Sequence, residues 1–237
     1  MHLRLAMLLA WALLVACGAC GDDGDSPMDA PIVVDIDNGS CGDQLRFTGE
    51  YVDWDNDTAF CGIDDALFEV AGGEGAMDNT SPNGRFEMCI SDSAAVTLVD
   101  ITPPVDPSQC TTPASTYALG GIAVANIAML RAGGFWSARN FTADRVATIG
   151  FTPDAGKGHV FVHIDTGSRT VAIDAAHDTT QAVVANDWAA GDTGHDVFFP
   201  NVAPGQTTVS ATGGSVIGAG QIGVTAGKIT YVSLKAL

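Results

Sequence analysis

GHVFVHID, at residues 158–165, places an apolar side chain at every second position. Val160, Val162 and Ile164 share one face of the extended chain, because successive side chains of a strand point to opposite sides. His159 and His163 lie on the other face. This period of two, in β-branched residues, predicts a β-strand.

The same kind of pattern recurs along most of the chain. Strands are predicted at 45–54, 66–70, 85–90, 95–101, 171–174, 180–184, 197–202, 207–211, 222–225 and 229–234. Turn signals separate them, such as Ser81-Pro82-Asn83-Gly84. The 28 glycines and the low aromatic content of 7% agree with a turn-rich β protein. The sequence therefore predicts an all-β fold built from antiparallel sandwiches.

Composition and turn-forming residues divide the chain into five predicted parts. One segment, Ile122–Arg131, fits either a buried strand or a helix; we favour the helix, because the segment is rich in Ala, Met and Leu and is followed by Gly133. The predicted parts are a signal peptide (1–16), a disordered acidic tether (17–40), a first β-sandwich domain (41–110), a connecting segment with short helices (111–150) and a second β-sandwich domain (151–237).

Three motifs resemble those of carboxypeptidase-regulatory-like, or transthyretin-like (prealbumin-like), domains. Residues 198–209, FFPNVAPGQTTV, resemble the family's F-x-N-V-x-P-G-x-Y-x-V hairpin, with Thr207 where the family usually has Tyr. Residues 224–234 resemble the last two strands, and 80–86 resemble a T-x-x-x-G-x-F turn. The resemblance implies two tandem prealbumin-like antiparallel β-sandwiches. It implies no activity, because these motifs carry no catalytic residues.

The amino terminus predicts export. One charged residue, Arg4, precedes an apolar run from Leu5 to Ala16, which is too short to span a bilayer. The run ends in Leu-Val-Ala-Cys17, which resembles the lipobox of bacterial lipoproteins, in which the Cys is acylated and becomes the new amino terminus. Gly18 after that Cys favours the outer membrane. The alternative is an ordinary signal peptide cut after Ala16 or Ala19.

The charge of the chain limits its partners. Twenty-eight acidic residues against ten basic ones give a net charge of −18. Such a surface repels the phosphate backbone, so we expect no nucleic-acid binding. The expected contacts are the membrane, through the lipid anchor, and a surface protein or a glycan.

Four cysteines lie in the first predicted domain: Cys41, Cys61, Cys89 and Cys110. An exported protein occupies a compartment that permits disulfides, and four cysteines allow three pairings. We favour Cys61–Cys89 and Cys41–Cys110. A zinc site is the rival interpretation, but this stretch has no Cys-x-x-Cys pair.

Two groups of residues could bind a cation. Asp53, Asp55 and Asp57 alternate as at the start of a calcium loop, with Asp64 or Asp65 as a further ligand; the preferred alternative is a solvated strand end that discourages edge pairing. No other cofactor is expected. In the second domain a metal site would need three of these five residues to converge: His159, His163, Asp165, His177 and His195. The preferred interpretation is that the strand histidines are exposed.

Aromatic residues suggest one more kind of site. Trp54, Trp136 and Trp188 could stack on sugar rings, with Trp54 and Trp188 as the preferred pair, or could cap the edge of a core. The sequence contains no Gly-x-Ser-x-Gly elbow and no phosphate loop. We therefore expect a non-catalytic cell-envelope lipoprotein that acts as a binding or scaffold module. The alternatives are a carbohydrate-binding surface module and a metal-dependent enzyme that uses His and Asp of the second domain.

Overall fold

A computed structural model describes residues 41–54, 61–72, 76–108, 110, 114–144, 150–184 and 187–237. The fold is all-β, as predicted, and the single helix of the described ranges has five residues. That helix is too short to cross a membrane, and no longer apolar helix occurs in the part described. The predicted signal peptide and tether lie outside these residues.

The described residues form seventeen strands and one helix. In order they are β1 (Leu45–Asp53), β2 (Leu67–Val70), β3 (Met77–Asn79), β4 (Arg85–Ile90), β5 (Val96–Thr102), β6 (Gly120–Asn126), α1 (Ile127–Arg131), β7 (Trp136–Asn140), β8 (Gly158–Ile164), β9 (Arg169–Ile173), β10 (Gln181–Val184), β11 (Asp187–Ala190), β12 (Thr193–Gly194), β13 (Asp196–Val202), β14 (Gly205–Thr212), β15 (Val216–Ile217), β16 (Gly220–Val224) and β17 (Lys228–Ala236).

The strands form three sheets. A ten-stranded sheet has the order β11-β10-β13-β8-β17-β6-β5-β2-β3, with the short β15 paired to β17. A three-stranded sheet has the order β4-β1-β7, and a four-stranded sheet has the order β12-β9-β14-β16. Hydrogen bonds thus continue through the large sheet from β11 to β3.

The large sheet is buried on both faces at its centre. Along β8, Phe161 belongs to a core shared with Phe47 and Trp136 of the three-stranded sheet. Val160 and Val162 belong to a second core, shared with strands of the four-stranded sheet. Because side chains alternate along a strand, each central strand supplies both cores. The arrangement is sandwich-like, with the large sheet in the middle.

Two strands, β6 and β7, lie within the predicted connecting segment, and β6 corrects the helix predicted at 122–131. Strand β6 takes its first half, and α1 begins only at Ile127. The side chain of Asn126 accepts a hydrogen bond from the backbone N–H of Met129, and so caps the helix. Strand β6 pairs with β5 on one side and β17 on the other. Pairing on both edges outweighs the local helix preference of alanine.

Strands from both predicted domain ranges therefore belong to one sheet. Strands β2, β3 and β5 come from 41–110, and β8, β13 and β17 come from 151–237. The prediction of purely antiparallel sheets is wrong, because β1–β7, β6–β17 and β8–β17 are parallel pairs. The described residues also fall within a single compact unit. The prealbumin-like character of the chain stays a prediction.

All four predicted cysteines form disulfides, but the favoured pairing is wrong. The bridges are Cys41–Cys89 and Cys61–Cys110, with Cα–Cα distances of 5.4 and 5.9 Å. The register of β1 against β4 sets Cys89 opposite Arg46, at the end of β1 that Cys41 precedes. The bridge partners are thus decided by strand pairing, which the spacing of the cysteines does not reveal.

Candidate functional site

Several polar side chains surround the buried carboxylate of Asp196. Asp196 is 1% exposed, and its Oδ1 lies 2.7 Å from Nδ1 of His163. Its Oδ2 accepts a hydrogen bond of 2.6 Å from Nε of Arg139 and lies 3.6 Å from Nε2 of His195. We call this group the Asp196 cluster; its members are Glu50, Ser137, Arg139, His163, His195 and Asp196.

Strand register explains why these residues meet. Strands β8 and β13 pair so that His163 lies directly opposite Asp196. Strands β1 and β7 pair so that Glu50 lies beside Ser137. Arg139, on β7, reaches from the three-stranded sheet to Asp196 on the large sheet. The cluster therefore links the three-stranded sheet to the large sheet.

The electrostatics of the cluster separate its two carboxylates. Burial alone would raise the pKa of Asp196, but the hydrogen bond from His163 and the charges of His163 and Arg139 outweigh it. The pKa of Asp196 is therefore held well below its ordinary value. Burial raises the pKa of Glu50, against the opposing effect of its hydrogen bond from Ser137. Asp196 is thus held in its charged form, whereas burial makes Glu50 harder to ionise than an ordinary glutamate.

The geometry of the Asp196 cluster favours a structural role over a catalytic one. The hydroxyl of Ser137 donates to Oε1 of Glu50 at 3.1 Å, so its hydrogen bond goes to a carboxylate and not to a histidine base. Both oxygens of Asp196 are engaged within the protein. In the described ranges, no three His, Cys, Asp or Glu side chains are arranged to hold a metal ion.

The predicted exposure of the strand histidines is wrong. His159 is 1% exposed, stacks on Phe198, and accepts a hydrogen bond at Nδ1 from the backbone N–H of Asn201. Burial lowers the pKa of His159 to about 4. The side chain of His163 is 15% exposed. Both were expected to face solvent, but Phe151 and Phe198 pack against the ring of His159, and Asp196 contacts that of His163.

The tryptophans pack with each other and with the core. Trp54 is 1% exposed and stacks on Trp188, with ring centroids 3.9 Å apart and planes inclined by 10°. The indole N–H of Trp188 also donates to the carbonyl of Trp54. Trp136 is fully buried. The structure therefore leaves no face of Trp54 for a sugar ring, contrary to the predicted role of that residue.

Only part of the predicted calcium site is described. Asp53 is buried, and its Oδ2 accepts a hydrogen bond of 3.2 Å from the hydroxyl of Tyr117. Asp64 and Asp65 are exposed. Asp55, Asp57 and the lipidation residue Cys17 lie outside the described residues, so the calcium and lipidation hypotheses stay predictions.

The sequence pattern indicates only part of the Asp196 cluster. It marks His163 and His195 as candidate metal ligands, whereas no motif in it marks Asp196, Arg139 or Glu50 as members of a site. One signal was present: His195-Asp196 stands directly before the apolar run Val197–Phe199. A charged residue at the start of a buried strand needs a partner, because an unpaired buried charge is costly.

No family model and no curated protein matches this chain. The resemblances to lipoproteins and to transthyretin-like domains therefore depend on the quoted motifs alone.

Proposed function

We propose that this chain is a lipid-anchored protein of the cell envelope, held at the outer membrane, whose β-sheet body is a non-catalytic binding or scaffold module. The observation that carries the proposal is the pair of disulfides, Cys41–Cys89 and Cys61–Cys110. Disulfides persist in oxidising compartments and are rare in the cytosol. They agree with the export signal and with the lipobox-like sequence that ends at Cys17.

The Asp196 cluster supports the non-catalytic part of the proposal. Its central carboxylate is buried and takes its partners from within the protein, and Ser137 donates to Glu50. Such a cluster links two sheets and gives a rigid body on which a partner can dock. A surface protein or a glycan is the proposed partner class, and the strongly acidic surface disfavours nucleic acid.

The lipidation of Cys17 is the part of the proposal that an experiment can test directly. We would express the full-length chain in a Gram-negative host and compare the wild type with Cys17→Ala and the matched control Cys20→Ala. The wild type and Cys20→Ala should fractionate with membranes, and mass spectrometry should find an acylated amino terminus at Cys17. Cys17→Ala should lose both properties, because two or more acyl chains are needed for stable anchoring.

Two results would contradict the anchor. One is recovery of the wild-type protein in soluble form with an intact Met1. The other is a loss of membrane attachment in Cys20→Ala while Cys17→Ala stays attached.

A further inference from the structure

We propose that the Cys61–Cys110 disulfide is a site of thiol–disulfide exchange with small thiols, whereas Cys41–Cys89 is a structural bridge that resists it. The inference goes beyond the proposed function and does not depend on the lipid anchor. It is carried by the different surroundings of the two bridges.

The two bridges join different kinds of segment. Cys41–Cys89 lies at the end of the regular β1–β4 pair; Cys41 is buried and Cys89 is half-buried. Cys61–Cys110 joins two segments that lie outside the named strands, and both of its cysteines are half-buried. A reagent therefore meets one buried cysteine at the first bridge and none at the second. Exchange requires access to a sulfur atom, which favours the second bridge.

A cleft opens at Cys61. Its volume is about 350 Å³, and its lining includes Cys61, Pro104, Pro107, Ser108 and Tyr117. This volume lies within the range of small-molecule pockets, about 300–1,000 Å³. A small thiol can therefore approach this bridge without unfolding of the sheets.

Three exposed carboxylates give the cleft a negative charge. Asp64, Asp65 and Asp106 all belong to its lining. The attacking species in exchange is a thiolate, so each carboxylate repels it. A thiol that also carries an ammonium group offsets this repulsion, whereas one that carries a second negative charge increases it. The cleft should therefore select thiols by charge.

The exchange step balances without any further reagent. A thiolate attacks Sγ of Cys61 and forms a mixed disulfide, while the Cys61–Cys110 bond breaks and Cys110 leaves as a thiolate, which takes a proton from water. A second thiol then attacks the mixed disulfide and releases Cys61 as a thiol. Two small thiols are oxidised to one disulfide, and the protein gains two thiols.

Opening this bridge has a structural consequence at Asp53. The backbone N–H of Cys110 donates to Oγ of Ser108, which lies 2.9 Å from the hydroxyl of Tyr117. That hydroxyl donates to the buried carboxylate of Asp53. A line of hydrogen bonds thus runs from the bridge to a carboxylate in the interior. Release of Cys110 should loosen it, and hydrogen exchange of the amides near Tyr117 should then increase.

The test compares three thiols on the oxidised full-length chain at low ionic strength and equal thiolate concentration. The probes are cysteamine (ammonium-bearing), 2-mercaptoethanol (neutral) and 2-mercaptoethanesulfonate (anionic). Alkylation followed by peptide mass spectrometry measures the opening of each bridge separately, and near-ultraviolet circular dichroism verifies that the fold is intact. Cys61–Cys110 should open about tenfold faster with cysteamine than with the sulfonate, since each nearby charge changes the barrier modestly. Cys41–Cys89 should open more slowly with all three.

The matched variants are Asp64→Asn and Asp106→Asn, which remove charge and keep side-chain size. Each should narrow the difference between cysteamine and the sulfonate at Cys61–Cys110 and leave the rates at Cys41–Cys89 unchanged. The proposal is overturned if the two bridges open at equal rates or Cys41–Cys89 opens first. It is also overturned if the rates at Cys61–Cys110 do not depend on reagent charge.

Discussion

The centre and the outer part of the large sheet are stabilised in different ways. Every residue of β13 is buried, and β8 is buried at all but one position. Toward the other edge, β5 has two buried positions, β2 has one and β3 has none. The central strands have a core on each face, whereas the outer strands have a core on one face. Both disulfides lie in the half of the chain that supplies the outer strands.

The difference shows where each source of stability is used. Burial of apolar surface stabilises a sheet in proportion to the area removed from water, so a strand covered on both faces gains roughly twice as much. A disulfide stabilises mainly by restricting the unfolded chain, whatever the native burial. We infer that covalent bridges compensate for shallow burial in the first half of the chain, and that the cysteine-free second half needs none.

The largest effect should come from truncation of a central aromatic residue. Phe198→Ala leaves a cavity among Trp54, Phe141 and His159, and should lower the free energy of unfolding by about 4 kcal/mol. The matched outer variant Leu98→Ala, at a residue 45% exposed, should cost under about 1 kcal/mol. Urea denaturation measures both. Equal losses of unfolding free energy in the two variants would contradict the difference between the central and the outer strands.

Removal of either disulfide should have the next largest effect. The bridges span 48 and 49 residues, so loop-closure entropy predicts nearly equal losses of at most about 4 kcal/mol for Cys41→Ala/Cys89→Ala and Cys61→Ala/Cys110→Ala. Thermal and urea unfolding of the two double variants measures the losses. If neither variant loses as much as about 1 kcal/mol, the outer strands do not depend on their bridges.

The pH dependence of stability should identify His159 as a buried neutral group of the central region. Its pKa is about 4 in the folded protein, against about 6.5 when unfolded, so the unfolded chain binds the extra proton first. This contribution is present in full above pH 6.5 and is lost as the pH falls toward 4. The free energy of unfolding should therefore drop by about 2.5 kcal/mol between pH 8 and pH 4.5 from this residue.

The variant that tests this prediction is His159→Gln. It should flatten the pH dependence of the free energy of unfolding between pH 6.5 and 4.5, because the group whose pKa is lowered by burial is then gone. Identical pH profiles for the wild type and His159→Gln would mean that this histidine is not held neutral.

The local sequence pattern predicted most strands correctly, but it predicted the secondary structure of residues 122–131 only in part. The predicted strands at 85–90 and 229–234 agree with β4 and with the interior of β17, because each shows period-two alternation or a bounded apolar run. Residues 122–131 were predicted as helix, since alanine favours helices locally. Their first half became β6, because two neighbouring strands could satisfy both of its edges.

The candidate site was predictable only in part, for a related reason. His163 and His195 were identified from the sequence as notable, but Asp196 and Arg139 were missed. These residues are far apart in the chain, and only the registers of two sheets bring them together. The exposure of His159 was also misjudged, because Phe151 and Phe198, which pack against its ring, meet it only through tertiary packing.

By itself the sequence determined the all-β class, most strand positions and the four cysteines that form bridges, because alternation and cysteine placement are local properties of the chain. It also supplied the amino-terminal pattern from which export is predicted and on which the proposed location depends. The tertiary structure decided which cysteines pair, which face of β8 is covered and which charges surround Asp196. Those outcomes depend on the registers and packing of strands distant in sequence, and no local pattern encodes the partner that a strand will meet.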